Sequence, residues 1–222
     1  MKGRVVVVAP YAPMHAEPRV SSPQISQALG GHVLSVLESR DEWHNVRGAD
    51  DYAGWVHAGY LAPTSEERRA ESVLTSLGCT VRSAGGRRRH LPPGALLLAD
   101  DILESGTALA HDALRRDFPV SAAAAARTAL RIFEGAPYQW GGNTPWGVDC
   151  SGLVQTAFYL HGIQLPRDAW QQATTGEDAG RDPLSLAAGD LLFFSDREDR
   201  KITHVGIASG DRTMVHSALG RG

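Results

Sequence analysis

The sequence predicts an α+β domain at its C-terminal end, preceded by two small all-β modules. Three observations carry this reading. Short β-rich runs separated by turns occupy residues 5–8, 32–37, 43–46 and 54–56, and strands this short and closely spaced favour small barrels. An alanine-rich stretch at residues 121–133 opens on Ser121 and reads as a capped helix. Beyond it come an irregular loop, a second helical run and several short apolar strands, the mixed pattern of an α+β layer. The expected boundaries are 1–62, 63–119 and 120–222.

In the first module, Ser26-Gln-Ala-Leu-Gly-Gly-His-Val-Leu-Ser-Val-Leu-Glu is followed by Trp43 and by Tyr52-Ala-Gly-Trp-Val. This set resembles a bacterial SH3-like domain. Residues 63–69 are polar, with Pro, Thr, Ser and Glu, and read as a linker. The next module holds Leu77-Gly-Cys-Thr-Val-Arg and Leu91-Pro-Pro-Gly-Ala-Leu-Leu-Leu. Pro92-Pro-Gly94 marks a turn before a strand at 95–98, and the Arg87-Arg-Arg-His90 run reads as a solvated turn. By position and strand count this is a second, diverged SH3-like barrel. In the helix at 121–133, Leu130 and Phe133 are the core candidates, and Gly135-Ala-Pro stops it.

Residues 138–149, Tyr-Gln-Trp-Gly-Gly-Asn-Thr-Pro-Trp-Gly-Val-Asp, form a loop rich in Gly, Pro and aromatics. Leu153, Val154, Ala157 and Phe158 then recur at helical spacing, with Asp149 as N-cap, so Cys150 falls in the first turn of a helix. The N-terminal peptide dipoles are expected to lower its thiol pKa and favour the nucleophilic thiolate. The plain alternative is a buried structural cysteine. Downstream, Asp190-Leu-Leu-Phe-Phe-Ser reads as a strand, His204-Val-Gly-Ile-Ala-Ser as a second, and Thr213-Met-Val-His216-Ser as a third. Two histidines on adjacent strands after such a cysteine suit a nucleophile, a base, and a third group that holds the imidazole tautomer.

Ala136-Pro-Tyr-Gln-Trp-Gly-Gly, Val148-Asp-Cys-Ser-Gly-Leu-Val, Leu165-Pro-Arg-Asp, Ala188-Gly-Asp-Leu-Leu-Phe-Phe and Thr203-His-Val-Gly-Ile are similar in order and spacing to the NlpC-type cell-wall cysteine peptidases. The resemblance covers roughly the last hundred residues, an ordinary domain size. It implies a papain-like fold and hydrolysis of the γ-D-glutamyl–diamino acid bond of murein peptides. Cys150 is then the nucleophile, His204 the general base and His216 its orienting partner, while Tyr138, Asp149, Ser151 and Asp168 line the substrate cleft. Similar enzymes often carry a hydroxyl residue after Pro-Arg-Asp; this chain has Ala169. In similar barrel-bearing enzymes that recycle murein peptides, a position resembling Glu17 pairs with the free ammonium of an L-Ala-γ-D-Glu unit and one resembling Tyr52 walls it off. The plain reading makes Glu17 a solvated loop charge and Tyr52 a barrel core residue.

A net charge of -3 gives no reason to expect nucleic acid or an anionic membrane as partner. Two cysteines are too few for a disulfide framework, and no Cys/His/Asp/Glu group has metal-ligand spacing, so neither cofactor nor metal is expected. The apolar run at residues 5–9 is shorter than the ~7–15 residues of a signal-peptide core, and no stretch approaches the ~20 needed to span a bilayer. The expected location is cytoplasmic. Gly222 follows His216 closely, where similar enzymes continue through another strand, so the expected sheet either lacks an edge or belongs to a shortened chain. The expected partner is a free murein peptide. The competing readings are a wall hydrolase acting on intact stems, a peptidoglycan-binding protein, and an acyltransferase, for which the sequence shows no acyl-donor site.

Overall fold

A computed structural model describes residues 3–64, 73–180, 182, 185–210 and 212–220. The chain divides into two compact units, Met1–Arg116 and Asp117–Gly222.

The first unit is built on β1 (Arg4–Val7), β2 (Tyr11–His15), β3 (Gln24–Leu29), β4 (Val33–Arg40), β5 (Trp43–Arg47), β6 (Ala53–His57) and β7 (Leu61–Thr64), with a 3-10 turn at Ala58–Tyr60. These strands make one antiparallel sheet in the order β3-β2-β6-β5-β4-β1-β7. Alternation sends Val5, Val7, Ala12, Met14, Leu34, Val36, Val46 and Val56 into its core. Strands β2 and β3 lack a clean apolar run, and Pro13 in β2 disguises the first of them. The polar stretch at 63–69 is only partly a connection. Pro63 and Thr64 pair with Val5 and Arg4 at the sheet edge, where a proline's missing N–H costs no ladder bond; residues 65–69 lie outside the described residues.

A second, three-stranded sheet runs β10-β8-β9, from β8 (Thr75–Arg82), β9 (Arg88–Leu91) and β10 (Ile102–Leu109). Leu29 and Tyr11 of the first sheet join Cys79, Val81, Leu91, Ala95 and Leu97 in one apolar cluster, so both sheets belong to one unit. Two sequence expectations are corrected here. Residues 95–98 are not a strand: after the turn at Gly94 only Leu96 bridges to Thr75. The basic run is not a solvated turn either, because residues 88–91 are strand β9, exposing Arg88 and His90 and burying Arg89 and Leu91. Arg89 is paired with Asp101, whose side chain is fully buried, and donates to the Val8 carbonyl at 3.0 Å. A short helix, α1 (His111–Asp117), follows.

The second unit starts with α2 (Ala122–Phe133), where the Ser121 hydroxyl accepts the Ala124 N–H as the cap. Phe133 is buried, but Leu130 is half exposed; the buried face is instead Ala125, Ala126, Ala129 and Phe133, small residues that let α2 approach its neighbours. After a two-stranded hairpin, β11 (Asn143–Thr144) and β12 (Gly147–Val148), come α3 (Cys150–Leu160) and α4 (Ala169–Gln172). The last sheet orders as β13-β14-β15, from β13 (Leu191–Phe194), β14 (His204–Gly210) and β15 (Thr213–Val215). Leu153, Val154, Ala157 and Phe158 of α3 close one core with Val205 and Ile207 of β14. Among the described residues, no helix is long and apolar enough to cross a membrane.

The two arginines of β9 give a direct stability test. Arg89→Ala strands the Asp101 carboxylate in the interior and is expected to cost about 3–5 kcal/mol, read as a lower guanidinium midpoint. Arg88→Ala breaks only an exposed pair with Glu104, which Arg82 still holds, and is expected to leave the midpoint nearly unchanged.

Candidate active site

The loop ahead of Cys150 is folded back on itself. Gln139 N–H reaches the Val148 carbonyl at 3.1 Å, and Val148 N–H returns to the Pro137 carbonyl at 3.0 Å. Gly141 takes the left-handed φ of 71° that closes the turn. A side chain at Gly152 would meet the Gly142 carbonyl at 2.1 Å, so the loop can lie directly on the first turn of α3.

Asp149 caps that helix as expected, and its carboxylate does more. Oδ1 accepts the Gly152 N–H at 2.7 Å, and Oδ2 accepts the Gly141 N–H at 2.8 Å. Arg167 then donates to both oxygens, at 3.0 and 2.7 Å, and also to Ser151 Oγ at 2.9 Å. The guanidinium is 1% exposed. Asp149 and Ser151 thus direct their side chains into this buried network. The Ser151 carbonyl accepts from Gln172 Nε2 at 3.1 Å, which ties α4 to the nucleophile's turn. Arg167 and Gln172 were not singled out from the sequence, although the Leu165-Pro-Arg-Asp motif contains the first of them. Asp168 heads α4, its N–H bonded to Gln171 Oε1 at 3.3 Å.

Cys150 is buried at the start of α3, and its sulfur takes backbone hydrogen bonds from Ser151 and from Val205, the residue after His204. His204 heads β14, and its Nε2 lies 3.0 Å from His216 Nδ1, the rings meeting edge to face. His216 stands one position past the end of β15 rather than within it, while Ser217 beside it donates to the Val148 carbonyl at 2.8 Å and fixes the chain there. With Nε2 turned to His216, Nδ1 is the nitrogen left to His204 for proton transfer. Tyr138 bridges to Val148, and burial, with the charges of Asp149 and Cys150, pushes its phenol up to about 12. It therefore stays a protonated donor at neutral pH.

One electrostatic expectation is reversed. Burial, and then the Asp149 carboxylate, push the Cys150 thiol up despite its two backbone hydrogen bonds and the Arg167 charge. Burial and the facing His216 push His204 down. Both groups are thereby biased towards their neutral forms, thiol and imidazole, rather than towards an ion pair.

The remaining candidates belong to the other unit. Glu17 is exposed and ion-paired with Arg19 at 2.9 Å. Tyr52 is half-buried and packs against the core of the first sheet. Among the described residues, no group of three or more His, Cys, Asp or Glu side chains is gathered as a metal site.

A buried cysteine at a helix start and a histidine pair on a three-stranded sheet define a cysteine hydrolase of α+β architecture. Residues 135–222 match the model of the NlpC/P60 family, and residues 10–62 match that of the bacterial SH3 domain. A gamma-D-glutamyl-L-lysine dipeptidyl-peptidase of Bacillus subtilis is 30% identical over 213 residues, covering 86% of this chain and 71% of that protein. The Bacillus cereus protein of the same name is 28% identical over 227 residues, covering 86% of this chain and 66% of its own length. The crystal structure of an NlpC/P60 family protein from Bacillus cereus has the same fold, with a TM-score of 0.74 at 19% identity over 96% of this chain and 90% of that one. The chain belongs to the NlpC/P60 family of cysteine peptidases, with a bacterial SH3 domain at its N-terminal end.

Two outcomes follow from this geometry. Arg167→Ala is expected to destabilise the second unit by about 3–5 kcal/mol and abolish activity together, because Asp149 is left buried and unpaired. Arg167→Lys lacks the fork that serves both carboxylate oxygens and is expected to recover only part of the melting temperature. The base must be neutral to act, and its pKa lies below the ordinary 6.5. The acid limb of kcat/KM should therefore fall with a midpoint below pH 6.5; a midpoint at or above that value contradicts the assignment of His204.

Proposed function

We propose that this enzyme hydrolyses the γ-D-glutamyl–diamino acid bond of free murein peptides bearing an N-terminal L-Ala, in the recycling of cell-wall peptides in the cytoplasm. The observation that carries the proposal is the placement of the Cys150 sulfur on the amide of Val205, the residue that follows His204, whose imidazole is bonded to His216. The names of the two dipeptidyl-peptidase relatives support the choice of bond.

In this reaction Cys150 Sγ adds to the γ-carbonyl carbon while its proton passes to Nδ1 of His204. The carbonyl π electrons move to oxygen, where the Cys150 backbone N–H and the Tyr138 hydroxyl are donors suited to stabilise the charge. Collapse of the tetrahedral intermediate breaks the C–N bond, and His204 delivers the proton to the departing amine. Water then attacks the thioester, giving its proton to His204, and the glutamyl carboxylate leaves as the thiol is restored. His216 keeps the tautomer productive: with Nδ1 of His204 as acceptor, its Nε2–H must point at His216 Nδ1.

Glu17 enters the same proposal as the partner of the substrate's free ammonium, and Tyr52 as the aromatic that walls it off. The Glu17–Arg19 pair is exposed, so exchanging it for a substrate ammonium costs ~1 kcal/mol or less. A free ammonium gains this contact and an acylated terminus does not, which sets the expected direction of the preference.

The test is a digest of L-Ala-γ-D-Glu-diamino acid tripeptide, its N-acetylated form and intact sacculi, read by mass spectrometry. The free tripeptide should be cut into L-Ala-γ-D-Glu and diamino acid, the other two left intact, and Cys150→Ala should abolish turnover. Equal rates on free and acetylated peptide discard the preference for a free terminus, and release from sacculi supports a wall hydrolase instead. An unchanged preference in Glu17→Gln removes Glu17 from the account.

A further inference from the structure

Trp170 is the second residue of α4, and its indole is 46% exposed. The preceding Ala169 is buried in the same core cluster as Cys150 and Val205, which packs the start of α4 against the core behind the nucleophile. Over its ring, 5.6 Å from the centroid, lies the ammonium of Lys201. Lys201 belongs to the β13–β14 hairpin and precedes His204 by three positions, a span of at most about 10 Å. The backbone of the hairpin is held there: the Ser195 hydroxyl donates to the Lys201 carbonyl at 2.7 Å, and Lys201 N–H donates to Asp199 Oδ1 at 3.0 Å.

Two acidic neighbours of Lys201 have hydrogen-bonded side-chain partners of their own, although Asp199 also feels the Lys201 charge. Asp199 is gripped by Arg197 through two hydrogen bonds of 2.9 and 2.8 Å, and Asp196 accepts the Thr203 hydroxyl at 2.9 Å. An ammonium resting on an aromatic face gains modest electrostatic attraction and remains available to a stronger anionic partner.

The side of the cleft follows from the chemistry. His204 must hand its proton to the departing amine, so the fragment that leaves with that amine lies next to His204 and its hairpin. Under the proposed function, on which this inference rests, the departing fragment is the diamino acid. The two common diamino acids differ by one group at the far end of the side chain: meso-diaminopimelate carries a carboxylate beside the ammonium, whereas L-lysine carries the ammonium alone. We propose that Lys201, held over Trp170 beside the leaving-group side of the cleft, is a specificity-determining residue that selects peptides whose diamino acid bears this second carboxylate. The same charge disfavours a lone ammonium, so attraction and repulsion act in one direction.

The experiment compares kcat/KM for L-Ala-γ-D-Glu-meso-diaminopimelate and L-Ala-γ-D-Glu-L-Lys in the wild type, Lys201→Ala, Lys201→Glu and Lys201→Arg. The wild type should favour the diaminopimelate peptide by about two- to fivefold or more, the scale of a partly exposed ion pair. Lys201→Ala should bring the ratio towards one, Lys201→Glu should invert it, and Lys201→Arg should keep it. A role confined to folding would lower both rates together and leave the ratio alone. A wild-type preference for the lysine peptide, or a ratio unchanged by Lys201→Glu, overturns the inference while leaving the proposed function standing. Hydrolysis of neither peptide by the wild type overturns the proposed function itself and takes the inference with it.

Discussion

The buried Asp149–Arg167 pair is the constraint on which the catalytic unit depends. Asp149 is the last residue before the nucleophile, and its carboxylate holds the first turn of α3, the glycine turn of the preceding loop and Arg167 at once. Neither partner is tolerable alone, since an uncompensated charge in the interior costs several kcal/mol. Together, with Ser151 and the Gly142 carbonyl accepting two further guanidinium N–H groups, they lock the segment in one geometry. Gln172 extends the lock to α4 by bonding to the carbonyls of Ser151 and Pro166. Cys150 is thereby carried at a fixed place against β14, where Val205 meets its sulfur.

The lock also sets the electrostatics. A carboxylate next to the nucleophile and an apolar core behind it both disfavour the thiolate, and they outweigh the amides that point at the sulfur. The imidazole is biased in the complementary direction, by burial and by a second imidazole facing it. The consequence is a resting pair biased towards its neutral forms. Arg167 serves this arrangement by neutralising Asp149, which would otherwise raise the thiol further.

Much of this was legible in the sequence, and the exceptions have physical causes. The Asp149 cap, the Cys150 position and the contact between His204 and His216 follow from local spacing, because helix caps and paired strands are short-range features. Arg167 was not legible as a structural residue: its partner lies 18 positions away, and nothing local marks an arginine for burial. Arg89 misled for a related reason, since a run of basic residues looks solvated until Asp101 is placed opposite its inward member. Leu130 misled because α2 turns Ala125, Ala126, Ala129 and Phe133 to the core, which leaves Leu130 on the opposite, exposed face. The expected fall of the thiol pKa considered the helix dipole and left out burial and Asp149, the two largest influences on it. Strand β2 carries Pro13 and β3 several polar residues, and sheet pairing overrides both.

The central claim is that Cys150 forms a thioester with the glutamyl carbonyl and His204 manages the protons. It is tested most directly by mixing the enzyme with L-Ala-γ-D-Glu-diamino acid peptide, quenching in acid within the first turnovers, and mapping covalent adducts by mass spectrometry. An L-Ala-γ-D-Glu acyl group on the peptide containing Cys150, absent from Cys79 and lost on longer incubation, is the predicted result. Turnover of the same peptide by Cys150→Ala, or an acyl group found on any other residue, would contradict the account.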